Sequence, residues 1–138
     1  MDQSNVEILG KTFDLASAKM DSFSIAFYRH LFISNPELRA LFPEDMASLR
    51  RKLVQTLAMM VHRVDDPESL GSMLRNLGAR HQAYGARSEH YAPVKHALIE
   101  AFSDTVGEEF DENARLAWTS MLDWVESQML AGVSPAPY

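Results

Sequence analysis

The spacing of the apolar residues constrains this chain most. Val6, Leu9, Phe13 and Ala16 are placed for one helical face, and Phe23, Phe27 and Leu31 recur every four residues. Leu49, Leu53 and Leu57 do the same, as do Val94, Leu98, Phe102 and Val106, and Trp118, Met121, Leu122, Val125 and Met129 form a last stripe. Such intervals bury one side of an α-helix. No stretch alternates with period two for long, and neither Asn-Gly nor Asp-Gly occurs as a hairpin turn. The pattern predicts an all-α chain.

Helix-start chemistry lies at the breaks between stripes. Asn35 and Asp66 each precede a proline, Asp45 precedes the Leu49 stripe, Ser88 precedes Tyr91 and Asp111 precedes the final stripe. Short polar side chains of this kind cap the free N–H groups of a first turn, and proline is tolerated there. Six long or medium helices are expected, with a short one from Pro36 to Phe42. The domain is expected to span residues 1–132, with 133–138, rich in proline, as a flexible tail. An up-down bundle, a globin-like crossing of helices and a helical interaction module all satisfy this pattern.

Length and charge exclude several functions. At 138 residues the chain is one domain's worth and can bury a real core. Its formal net charge of −6 argues against a nucleic-acid or anionic-membrane partner, both of which need a positive face. Without cysteine there is no disulfide, thiolate metal site or thiol nucleophile. The N-terminal residues do not read as a secretory signal, and no apolar run approaches the roughly 20 residues of a membrane helix. A cytoplasmic protein is expected.

Chemistry centres on the five histidines. None belongs to a metalloprotease His-Glu-x-x-His pattern or to a repeated Glu-x-x-His pair. His81 follows Leu70, Met73, Leu74 and Leu77 by 11, 8, 7 and 4 residues, which predicts a place on the apolar face near its helix end, the imidazole turned into the core. Two readings are open: a core histidine bonded to a backbone carbonyl, or an axial ligand to haem iron, for which neutral imidazole is well suited. A ligand histidine needs its second nitrogen held, and the Leu77 carbonyl one turn back can do that. His30, His62, His90 and His96 read as solvated, and Arg50, Arg51 and Lys52 read as an exposed face, with one of them able to pair with a haem propionate.

The run from Leu77-Gly78-Ala79-Arg80-His81 through Gly85 to His90-Tyr91-Ala92-Pro93-Val94 resembles the proximal segment of the globin family. It is most similar to single-domain bacterial haemoglobins and the globin module of flavohaemoglobins. Phe27-Tyr28-Arg29-His30-Leu31-Phe32, then Asn35-Pro36-Glu37-Leu38-Arg39-Ala40-Leu41-Phe42, resembles that family's second and third helices, and Ala117-Trp118 the start of its last. The resemblance implies a three-over-three helical sandwich with a short or absent fourth helix. It implies haem b as cofactor, His81 as the iron ligand, Phe42 packed on the ring and Tyr28 as distal hydrogen-bond donor. Leu49 then takes the distal position often held by histidine or glutamine, with Lys52 or Gln55 as substitutes if the phase is shifted. Leu53 lines the pocket, Val94 packs near the haem edge, and Tyr91 takes the place of a tyrosine that supports the proximal histidine.

Two departures bear on function. Leu49 makes no hydrogen bond, so stabilisation of bound oxygen is expected to fall on Tyr28. Flavohaemoglobin-type globins carry a supporting glutamate late in the last helix; here Val133 takes that place and Glu126 stands about two turns earlier. The expected function is reversible binding of a diatomic gas, O2 and also NO or CO. Nitric oxide dioxygenation with a separate reductase and a haem-based sensor are the alternatives, and no reductase module is expected within a chain of this length.

Overall fold

A computed structural model describes residues 3–133. They form six α-helices: α1 (Gln3–Ser17), α2 (Met20–Ser34), α3 (Ala47–His62), α4 (Pro67–Ala83), α5 (Tyr91–Val106) and α6 (Glu112–Ala131). Three short 3-10 turns, Pro36–Leu41, Ser88–His90 and Gly107–Glu109, join them, and no strand occurs among the described residues. Residues 42–46, between the Pro36–Leu41 turn and α3, hold no helix, so the short helix that the resemblance allows before α3 is absent. Of the expected tail, only Val133 falls within the described residues.

Three expected caps form. Asp66 Oδ1 accepts the Ser69 N–H at 3.3 Å, Asp111 Oδ1 that of Ala114 at 2.9 Å, and Asp45 Oδ1 that of Ala47 at 3.0 Å. Two do not. The Asn35 side chain donates backward to the Leu31 carbonyl at 3.2 Å, closing the end of α2 instead of opening the next turn. Ser88 already lies inside its 3-10 turn; the orphan donor is the Arg87 N–H, which His90 Nδ1 accepts at 3.0 Å.

In the interior α2 runs against α5, α4 against α6, and α1 rests on α6, α3 and α5. Trp118, Phe23, Phe102, Leu9 and Leu31 are each no more than 1% exposed. The Phe102 ring lies 4.3 Å from that of Trp118 and 4.7 Å from that of Phe23, within the range where aromatic pairs attract. Burying an indole N–H costs free energy unless it finds an acceptor. Trp118 Nε1 donates to Thr12 Oγ1 at 2.8 Å, and that hydroxyl donates onward to the Ile8 carbonyl at 2.7 Å.

This packing positions α3 and α4. The former leans on α1 and α2, the latter on α6. Contact between α4 and α6 is backbone to backbone, with Gly78 of α4 against Met129 and Gly132, just beyond α6, against Arg75. A guanidinium hydrogen bond from Arg75 to Gln128 Oε1, at 2.7 Å, runs along the same seam.

Candidate functional site

His81 is the third-last residue of α4. Its Nδ1 lies 2.9 Å from the Leu77 carbonyl oxygen. A carbonyl only accepts, so Nδ1 carries the hydrogen and, in the neutral ring, Nε2 keeps its lone pair. The Tyr84 and Ala86 N–H groups fold back onto the His81 carbonyl at 3.1 and 2.9 Å, and Gly85 takes the left-handed φ of 98° that this tight exit requires. Contrary to expectation, the imidazole does not enter the core: His81 is exposed. Leu70 and Leu74 are fully buried, Leu77 is half-buried, and the helix runs out of the interior before reaching His81.

Tyr91 opens α5, half-buried, and shares a cleft of about 400 Å³ with Gln82, Leu130 and Val133. Val133 thus lines the same cleft as Tyr91, and its side chain offers no carboxylate there. One approaches from elsewhere. Burial raises the Tyr91 phenol above its usual pKa, and the nearby Glu126 carboxylate raises it further. Lys95, one turn after Tyr91, lies 2.8 Å from Asp123 Oδ1 and 2.6 Å from Glu126 Oε1, an oxygen shielded from water. Bonds to both carboxylates raise the Lys95 pKa and fix its ammonium between α5 and α6.

Tyr28 is half-buried among aromatic rings. Its centroid is 4.7 Å from Phe27, 5.8 Å from a nearly parallel Phe32 and 5.8 Å from an edge-on Phe42. Burial pushes the phenol up to about 12, against the pull of the Arg50 charge. Tyr28 is therefore a neutral O–H donor at physiological pH, and its hydroxyl has no hydrogen-bond partner among the described residues. Phe42 is fixed by its loop: Arg39 donates to the carbonyls of Phe42, Pro43 and Glu44 at 3.2, 2.9 and 3.2 Å. Leu49 and Leu53 are half-buried on α3, whereas Lys52 and Gln55 are exposed. Val94, on α5, and Leu77 are half-buried against the core.

Some residues behave otherwise than the sequence reading has it. Arg51 and Lys52 are exposed but Arg50 is half-buried; it lies four residues before Val54 and seven before Leu57, both buried, and this spacing is the signal that separates it from its neighbours. His30 is not simply solvated: its Nε2 is 2.6 Å from Asp104 Oδ2, which ties α2 to α5. His90 is half-buried and caps a turn, while His62 and His96 are exposed. No group of three or more histidine or acidic side chains is placed to hold a metal ion among the described residues.

Residues 25–129 match the family model for Globin, and the chain belongs to the globin family. It is 25% identical over 121 residues to a flavohemoprotein of Vibrio cholerae, covering 86% of this chain and 31% of that protein. The chain thus spans about a third of the length of that relative. A neuroglobin of Tetraodon nigroviridis is 26% identical over 141 residues, covering 91% of this chain and 88% of the other. Among solved structures, a hexacoordinated haem protein from an anhydrobiotic tardigrade superposes with a TM-score of 0.84 at 18% identity, covering 96% of this chain and 94% of that one. The likeness shows that the helices cross as in a globin.

Proposed function

We propose that this chain is a haem globin that reversibly binds oxygen or another diatomic gas. The observation that carries the proposal is the His81–Leu77 hydrogen bond, which fixes the imidazole and leaves Nε2 free to bind a metal. The donor set suits haem: one neutral imidazole, half-buried apolar side chains at Phe42, Leu49, Leu53, Leu77 and Val94, and a phenol that stays protonated. His81 would hold the iron, and those side chains would enclose the macrocycle, taken here to be haem b. When bound, the group would supply an iron atom able to take a diatomic gas. Tyr28 would then offer its O–H as a hydrogen-bond donor to the gas, Leu49 and Leu53 would exclude water, and Tyr91 would support His81.

Residues 1–132 act as the gas-binding domain. No helix among the described residues is long and apolar enough to cross a membrane, and we place the protein in the cytoplasm. A second reading draws support from the Glu126 charge beside Tyr91: nitric oxide dioxygenation, in which nitric oxide, oxygen and one electron from a separate reductase give nitrate. Nitric oxide consumption with a supplied reductase distinguishes the two.

The primary test is the visible spectrum of the purified protein with added haem. The wild-type chain should give the spectrum of histidine-ligated haem, and His81→Gly should lose it, with added imidazole restoring it. A chain that takes up no haem, or keeps the same spectrum without His81, overturns the proposal.

A further inference from the structure

Arg50 is the feature that this account leaves unused. On α3 it shares a line with Val54 and Leu57, four and seven residues on, which are 7% and 2% exposed. The line faces into the molecule, where α3 packs on both α1 and α2, the second of which carries Tyr28. Arg50 adjoins Leu49 and lies three residues before Leu53, so it borders the apolar pair rather than the outer face formed by Arg51, Lys52 and Gln55. Its guanidinium has no carboxylate partner among the described residues, a lack it shares with other arginines such as Arg51, but Arg50 is half-buried where Arg51 is exposed. The positive charge is felt at the Tyr28 phenol, which fits this placement.

We propose that Arg50 and Tyr28 together form an anion-selective distal subsite, which favours small monoanions, and gases that carry negative charge on their outer atom, over neutral ligands. The inference rests on the haem-globin reading above. A half-desolvated cation attracts an anion more strongly than a solvated one, because less of its field is screened by water. With leucine at position 49, Arg50 supplies the polarity that a hydrogen-bonding side chain there would otherwise give. Tyr28 contributes direction through its O–H, and Arg50 contributes charge.

The experiment compares haem-loaded wild type with Arg50→Leu and Arg50→Lys. Azide binding to the ferric protein probes an anion, and carbon monoxide binding to the ferrous protein probes a neutral ligand. Arg50→Leu should weaken azide binding by about tenfold, or about 1.4 kcal/mol, and leave carbon monoxide affinity unchanged. Arg50→Lys should keep most of the azide affinity. If the leucine variant fails to fold, Arg50→Gln retains the long stem and takes its place. A readout independent of ligand exchange is the Tyr28 ionisation midpoint, followed by ¹³C-tyrosine NMR on the carbon monoxide form, which should rise when the charge is removed. Unchanged azide affinity overturns the inference, as does an equal loss for azide and carbon monoxide. Faster haem loss with unaltered azide binding also overturns it, assigning Arg50 to a porphyrin carboxylate. Absence of any histidine-ligated spectrum in the wild-type protein would instead reject the haem reading itself.

Discussion

Gly78 and Met129 meet backbone to backbone: a Cβ built on Gly78 would fall 2.0 Å from the Met129 carbonyl oxygen and 2.6 Å from its carbon. Because the obstacle is main chain, no rotamer change can relieve it. Gly78 is also three residues before His81 on the same helix, so the contact sets how α4 presents its imidazole.

Gly78→Ala should therefore destabilise the fold by about 1–3 kcal/mol, the usual range for overpacking. Gly10 is a direct control, since it lies inside α1 with nothing within 4 Å of its added Cβ. Gly10→Ala should stabilise by about 0.5–1 kcal/mol through helix propensity alone. Urea unfolding of both variants measures the contrast; equal effects would remove the close approach as a constraint.

Tyr28→Phe should speed oxygen release by about ten- to a hundredfold, since a hydrogen bond to a charged or polarised acceptor contributes about 1.5–3 kcal/mol. The ring contacts with Phe27, Phe32 and Phe42 survive the substitution, so folding should not change. Stopped-flow displacement of oxygen by carbon monoxide gives the rate. An unaltered rate removes Tyr28 from the distal site.

Alkaline pH supplies a test that needs no ligand. Burial raises the Tyr28 phenol to about 12 from the 10.0 of a free tyrosine, and Tyr91 is raised as well. Between those two values the unfolded chain has lost the Tyr28 proton while the folded chain keeps it. The unfolded state then binds fewer protons, so stability falls as pH rises through this window and is undiminished below it. Tyr28→Phe should flatten part of that fall and Tyr91→Phe a further part, as read from the urea midpoint at successive pH values.

The helices were legible in the sequence because each buries one stripe, and stripes are local. So were the aspartate caps at Asp66 and Asp111 and the bond from His81 to Leu77, all of which span three or four residues. Arg50 was hidden among two other basic residues whose side chains do face solvent. The pairing of His30 with Asp104 joins positions 74 apart, and that of Arg75 with Gln128 joins positions 53 apart. Nothing local encodes such contacts; they follow from how α2 crosses α5 and α4 crosses α6. The exposure of His81 escapes the sequence pattern for a related reason. Periodicity says which face of a helix is apolar, but not where along its length the core ends.

One contact also bears on the order of events at the ribosome. Trp118 hands its indole hydrogen to Thr12 across 106 residues of chain. Until α6 has emerged, α1 lacks a main packing surface and the Thr12 hydroxyl lacks its donor. The segments on either side of His81 are translated well before that. On the reading proposed for His81, a nascent chain of this design exposes its imidazole early and gains a wall behind it late, so durable capture of a prosthetic group would belong to the last stage of synthesis.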